Sequence, residues 1–334
     1  VQATVERVKK AYEEAEKKRK NLLRLVFIWA ACLIALPAIW LFFYFGFWKR
    51  VRQDYRFEDI PEYFREPPSK LSPALVEVLV REGREITTRS FTATIFDLAR
   101  RGYIEIDDQP VEGKGFFRRR EDYRTVMTCR KDFQADWELL SYEEELLRML
   151  FAAVARQGGR KGAQLTLDDL KSYLKKNPQK FQEWYRKWKR VIQKESENLH
   201  FIEPESIRMR NIFAAVTVPL AVLTLNPVLI ILSGIFIPKI KRRARRWAGE
   251  NELWKAVDRF LNDFSSFKET PPEAYKLWEH YLVFAIIFGN AKKILKMLPV
   301  ILRDERAVAP VWYLGFNRAE FIASGRLASM IKSI

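Results

Sequence analysis

Residues Asn211–Pro238 read NIFAAVTVPLAVLTLNPVLIILSGIFIP, 28 positions without a charged side chain. As one straight helix this stretch would rise about 42 Å, against a bilayer hydrocarbon core of about 30 Å. Asn226–Pro227 sits near its middle, and that pair favours a turn. Basic residues flank both ends: Arg208 and Arg210 before, then Lys239, Lys241, Arg242, Arg243, Arg245 and Arg246 after. A single crossing would leave one basic cluster on the wrong side of a membrane. A hairpin turning at Asn226–Pro227 keeps both on one side, with legs of about 14 residues, short for a full crossing. The hairpin is the favoured reading, and a single long helix is the alternative.

Working outward, a second uncharged stretch occupies Leu25–Trp48, long enough to span by itself. Pro37 lies inside it; a neighbouring polar group can re-satisfy the carbonyl that such a proline frees. Trp29, Trp40, Tyr44 and Trp48 supply aromatic residues, and those near the ends suit the interface. Residues 1–21 form a charged helical lead-in. The chain starts at Val1, which reads as a processed or truncated product. Its 334 residues carry a formal net charge of +17, first a topology and anionic-lipid signal in a membrane protein and second a nucleic-acid one. The two cysteines, Cys32 and Cys129, form no disulfide framework.

The section 56–207 is charged and aromatic. It opens on a Pro-rich linker, REPPSKLSP. Ala74–Val80 reads as a short helix. Thr87 and Thr88 are cap candidates for a helix carrying Phe91, Ile95, Leu98 and Ala99 on one face, stopped by Gly102. Tyr103, Ile104 and Ile106 read as a strand, and Phe116–Phe117 with Arg124–Cys129 as a hairpin. That order suits a winged helix. A second helical set follows: Tyr142–Val154, then Thr166–Leu174 capped by Thr166, then Phe181–Leu199, with Phe201–Ile202 as a possible strand. A tandem of winged helices is the expectation, and 247–334 reads as all helical. The fold class is therefore a mainly α membrane protein. Its expected parts are a juxtamembrane helix (1–21), a transmembrane helix (22–48), a cytoplasmic winged-helix-like α+β domain (56–207), a membrane hairpin (211–238) and a cytoplasmic helical domain (239–334).

Chemistry-bearing motifs are sparse. His200 and His280 are far apart in sequence, and no His/Cys set has metal spacing. No nucleophile elbow or phosphate-binding glycine loop occurs. Gly158, Gly159 and Gly162 around Arg160–Lys161 lack a strand–loop–helix context and read as a linker. The uncharged membrane stretches offer no ion path, which disfavours a transport component. No catalytic residue, metal site or cofactor is expected. For nucleic acid, the helix 89–101 would present Ala93, Phe96, Asp97 and Arg100, with a single base among them. The basic wing (Lys114, Arg118, Arg119, Arg120) would give only sequence-independent attraction. No specific nucleic acid is expected, and a membrane-tethered nucleic-acid-binding regulator is the alternative function.

The helix 181–199 has two faces. Phe181, Trp184, Tyr185, Trp188, Val191, Ile192 and Leu199 share one; Arg186, Lys187, Arg190 and Lys194 lie opposite. Core helix with a solvated basic back and interfacial helix on anionic lipid are both open. These four cations, with Lys239, Lys241, Arg242, Arg243, Arg245 and Arg246, are the candidate membrane-surface residues. Trp184–Trp188, Trp278–Phe288 and Trp312–Phe321 are aromatic stretches that could dock partners, Trp312, Tyr313, Phe316 and Phe321 being the candidates kept.

REPPSKLSPALVEVLV followed by ITTRSFTATIFDLARRGYIEI resembles the start of the cytoplasmic part of the DUF2207 family of predicted membrane proteins, the YciQ type. KRRARRWAGENELWKAVDRFLNDFSSF and LWEHYLVFAIIFGNAKKILKMLP resemble its region after the paired spans. The likeness covers most of the chain from Arg65 onward, and the order of segments is its specific element. It implies an extracytoplasmic domain, here absent, then one span, a cytoplasmic domain, two spans and a cytoplasmic tail. In this chain the paired spans are compressed into 211–238, and the tail ends in RAEFIASGRLASMIKSI. The family brings no catalytic residues. It implies a multi-pass inner-membrane location and a LemA-type helical-bundle membrane protein as partner. The function expected is a non-enzymatic scaffold or adaptor in a membrane assembly, with self-association a further expectation.

Overall fold

The computed structural model describes residues 2–51, 55, 57–83, 85–110, 123–134, 136–158, 163–266, 270–313 and 330–331. It is mostly helical with one small three-stranded sheet. The chain divides into two compact units, one of residues 1–56 and 202–244, the other of 57–201 and 245–334.

In the first unit, α1 runs unbroken from Gln2 to Val51 through Pro37. Lead-in and first apolar stretch are thus one helix. α8 (Pro204–Leu223) and α9 (Pro227–Phe236) follow in the second stretch, each with proline in its first turn, where a missing N–H costs nothing. The chain reverses between them. Leu225 takes φ +47°, and the Asn226 N–H returns to the Ala221 carbonyl at 3.1 Å. That is a left-handed helix stop usually built on glycine. Asn226 then caps α9, its side-chain oxygen accepting from the Leu229 N–H at 3.1 Å. At the base the ends meet again: Ile202 bridges Arg243, and the Glu203 N–H donates to the Arg242 carbonyl at 2.9 Å.

The second unit is built from both flanks of the hairpin. α2 (Pro73–Val80) and α3 (Thr88–Arg100) are joined through Glu77, a buried carboxylate. It accepts from the Thr87 N–H (3.0 Å), the Thr87 hydroxyl (2.7 Å) and the Ser90 hydroxyl (2.5 Å), and pairs with Arg81 at 3.2 Å. Thr87 caps α3, and Gly102, at φ +80°, ends it. Phe91, Ile95, Leu98 and Ala99 are buried. β1 (Ile104–Pro110) pairs antiparallel with β2 (Tyr123–Cys129), Ile104 opposite Cys129. β2 therefore takes β1 as its neighbour, and the expected strand at Phe116–Phe117, with the wing cations 114–120, lies outside the described residues.

α4 (Ser141–Arg148) passes through a π-helical turn, Met149–Val154, into α5 (Ala155–Gln157). β3 (Gln164–Thr166) leads into α6 (Leu167–Lys176), where Thr166 and Asp169 cap reciprocally. The tandem expectation is corrected here. β3 joins β2 in the same sheet, order β1-β2-β3, and the described residues contain no second sheet. The expected strand at Phe201–Ile202 reduces to the one bridge at Ile202.

α7 (Pro178–Asn198), α10 (Arg245–Asp263), α11 (Ala274–Phe288) and α12 (Ala291–Arg303) complete the unit. α11 packs on both α3 and α2. The Tyr281 hydroxyl donates to the Arg65 carbonyl at 2.8 Å, and the Phe64 N–H to that of Ala256 at 3.4 Å. Residues 57–201 and 245–334 thus share one core, where separate domains were expected. The all-helical expectation after Trp247 also needs correction: the chain is not helical from Asp304 to Tyr313. There the Ile106 N–H donates to the Trp312 carbonyl at 2.7 Å, so this segment covers part of the free edge of β1.

Candidate membrane interface

The first unit shows the reverse of a soluble surface. Phe27, Ile34, Phe42 and Phe43 on α1, and Ile212, Val216, Leu223 and Ile231 on the hairpin, are all exposed. Contiguous apolar surface of this extent marks contact with lipid or protein. Among the described residues, two helices are long and apolar enough to cross a membrane, Lys9–Gly46 and Pro204–Leu223.

This unit buries Trp40 and Tyr44 with the aliphatic Ala221, Leu229, Ile237 and Ile240, and polar contacts tie its helices together. Trp40 and Tyr44 stack with centroids 5.3 Å apart, against Phe213 and Phe236. The Trp40 indole donates to the Thr217 hydroxyl at 2.9 Å, and the Trp29 indole to the Thr224 carbonyl at 3.2 Å. Asn226 does more. Pro37 cannot donate to Leu33, four residues back. The Asn226 amide reaches that same Leu33 carbonyl at 3.5 Å and the Cys32 carbonyl at 3.3 Å. Asn226 is 1% exposed. One side chain therefore caps α9 and serves the carbonyl released by the proline of α1, a satisfaction that an apolar medium demands.

The base of the hairpin is charged. Arg242 pairs with Glu203 at 2.6 Å and lies 5.3 Å from the Tyr55 ring centroid, while the Tyr55 hydroxyl donates to Glu203 at 2.5 Å. The hydrogen bond to Glu203 raises the Arg242 pKa, so its charge is fixed. Of the candidate surface cations in this unit, Lys239 is exposed, and Lys241, Arg242 and Arg243 are half-buried. The ammonium of Lys239 lies 5.1 Å from the Phe236 ring centroid. In the second unit Arg245 and Arg246 are exposed, Arg246 over the Trp247 ring at 4.8 Å.

α7 resolves into its two faces. Trp188 is buried, donates its indole N–H to the Tyr142 carbonyl at 2.8 Å, and meets Phe91 edge-on. Phe181 and Trp184 also pack on Phe91. The aromatic face belongs to the core. Arg186, Lys187, Arg190 and Lys194 are exposed, with Lys187 3.1 Å from Glu183.

The docking candidates fare differently. Trp312 and Tyr313 are buried: Trp312 meets Phe96 edge-on and donates to Glu279, and the Tyr313 hydroxyl donates to Asp108 at 2.6 Å. They fill core volume because the β1 edge draws this segment in, which corrects their expected exposure. Phe316 and Phe321 lie outside the described residues. Trp278 is buried as well. A residue that sequence reading missed is Trp137, 89% exposed in the loop before α4; no periodicity marks a loop tryptophan.

The buried carboxylates Glu77 and Glu143 of the second unit are internally paired, while the Nδ1 of His280 is buried without a hydrogen-bond partner among the described residues. Arg101 approaches both oxygens of Glu143 at 2.9 Å, and the Leu140 N–H donates to Glu143 at 3.1 Å. Burial raises the Glu143 carboxyl and Arg101 pulls it back down. Burial, helped by Arg100, lowers His280 to about 4, so it is neutral. All of Ser90–Ala99 on α3 is buried, including Ala93, Phe96 and Asp97, and Arg100 is tied to Asp97 at 2.8 Å. The face considered for a DNA groove is covered by the chain itself. Among the described residues, no cluster of His, Cys, Asp and Glu could hold a metal ion.

No curated protein and no solved structure matches the chain. One family model does match, over residues 60–238 and 219–298, and its description is the C-terminal domain of a predicted membrane protein, DUF2207. With most of the chain inside that match, the protein belongs to the DUF2207 family of predicted membrane proteins.

Proposed function

We propose that this protein is a non-enzymatic inner-membrane scaffold, anchored by α1 and a re-entrant hairpin, whose second unit lies in the cytoplasm and docks a membrane-protein partner. One observation carries the topology. Residues 57–201 and 245–334 share a core, so the 202–244 segment between them leaves and returns on one side of the bilayer. Basic residues at both of its ends favour the cytoplasm for that side. The apolar part of α8, from Asn211 to Leu223, rises about 20 Å, so the hairpin enters without a full crossing of a core about 30 Å thick.

The fold of residues 73–129, two helices and an antiparallel strand pair, is read as winged-helix-like, completed by β3 in the sheet. The covered face of α3 argues for packing over nucleic-acid recognition. The occupied carboxylates Glu77 and Glu143 argue for structural roles. A LemA-type helical-bundle protein, implied by family resemblance, is the partner proposed, and Trp137 is the exposed side chain best suited to meet one, since buried tryptophans dominate interface energetics. A photo-crosslinking residue at Trp137, activated in native membranes, tests this. A stoichiometric adduct with one membrane protein is expected. Lipid adducts alone, or bound DNA, would contradict the scaffold reading.

A further inference from the structure

Between α8 and α9 runs a groove of about 320 Å³, the lower end of small-molecule site volumes at roughly 300 Å³. Ala214, Val218, Ala221, Ile230 and Gly234 line it. Its one polar side chain, Ser233, spends its hydroxyl on the Ile230 carbonyl at 2.8 Å. Gly234 is the telling position. Glycine is a poor residue inside a helix. Yet a Cβ there would meet no heavy atom within 4 Å. Nothing in the chain requires glycine at 234, and its effect is to keep the groove open.

The groove is also polarised. Arg210 stands one turn before Ala214 on the same face of α8, and Lys239 follows Pro238, the last lining residue. Both are therefore at the base of the hairpin. Arg210 reaches only its neighbour Asn211, at 3.5 Å, and neither cation pairs with a carboxylate among the described residues. The opposite end, toward Val222 and Leu225, is uncharged. The groove is thus an apolar slot with two cations within one helical turn of its lining residues at the base, neither of them in the lining itself. We propose that it seats one acyl chain of an anionic phospholipid, with the phosphate held by Arg210 and Lys239. Charge complementarity selects this occupant. A zwitterionic lipid would bring the same phosphate with an ammonium beside it, which repels the two cations and offsets their attraction, and a partner helix has no need of them.

The inference rests on the membrane reading above, and the test separates the two. The full chain is incorporated into vesicles of equal phosphatidylglycerol and phosphatidylcholine, extracted in mild detergent, and weighed intact by native mass spectrometry. One phosphatidylglycerol per chain is expected, at several-fold excess over phosphatidylcholine. Gly234→Leu, and independently Ala214→Leu from the opposite wall, should lose that lipid with helical circular dichroism unchanged. Arg210→Gln with Lys239→Gln should retain a lipid but equalise the two kinds. Equal retention by the unaltered chain, retention unaffected by both wall variants, or a second copy held in place of lipid would overturn the proposal while leaving the membrane reading intact. Failure of the chain to enter the vesicles would overturn both.

Discussion

The two units solve opposite packing problems with the same residue types. The second buries Trp188, Trp254 and Trp278, and on α7 it turns the basic face outward. The first leaves phenylalanine and isoleucine on its surface and sets hydrogen bonds within a small apolar interior, Trp40 to Thr217 and Asn226 to the carbonyls beside Pro37. In water the drive is to remove apolar area. In lipid that drive vanishes between helices, and packing and polar contacts hold them together. Single substitutions should therefore hurt the two units through different terms.

The largest effect is expected in the second unit. Glu143→Ala leaves Arg101 without its main partner and the Leu140 N–H without its acceptor. Breaking a buried pair costs about 3–5 kcal/mol, and the partly exposed Arg101 places this at the lower end, about 3 kcal/mol. Denaturant titration in detergent should show it; a loss under 1 kcal/mol would mean that the pair is a solvated surface contact. Next comes Asn226→Ala in the first unit. A lost N-cap costs about 0.5–2 kcal/mol, and an interhelical bond in a bilayer adds about 0.6 kcal/mol. Unfolding in mixed micelles should fall by about 1–2 kcal/mol, and an unchanged midpoint would break the link between the hairpin tip and α1.

A pH effect should belong to the second unit alone. The folded pKa of His280 is about 4, below its unfolded value of 6.5, with burial the main cause and Arg100 and Asp97 facing it. Below pH 6.5 the unfolded chain takes up a proton that the folded chain refuses. Stability from this group is complete above pH 6.5 and is lost as pH falls toward 4. His280→Gln should flatten the fall in melting temperature across that window relative to the unaltered chain; parallel curves would show that the ring is open to solvent. The smallest change in stability, within about 0.5 kcal/mol, is expected from converting Arg186, Lys187, Arg190 and Lys194 to Gln. Salt-sensitive binding of the full chain to anionic over neutral vesicles should weaken all the same. Unchanged binding would make them a solvated face only.

Local chemistry was legible in the sequence, and long-range contact was not. Thr87 and Thr166 announced their caps, Gly102 its stop, and Asn226–Pro227 the reversal, because each acts on its own neighbours. The amphipathic split of α7 also read directly, since periodicity reports burial. The pairing of Val311–Tyr313 with the β1 edge could not be read, as it joins segments some 200 residues apart and hid Trp312 behind an apparently free aromatic motif. The merger of residues 57–201 and 245–334 into one core escaped for the same reason. In the membrane unit Pro37 signalled a freed carbonyl, and only the folded chain named Asn226 as the group that answers it.

The central claim is that both halves of the second unit face the same side of the membrane with the hairpin between them. Single cysteines at Lys176 and Lys292, both exposed, placed in a chain with Cys32 and Cys129 replaced by serine, test it in sealed inverted vesicles with a membrane-impermeant thiol reagent. The account predicts that both label from the cytoplasmic face. Labelling of Lys176→Cys and Lys292→Cys from opposite faces would contradict it.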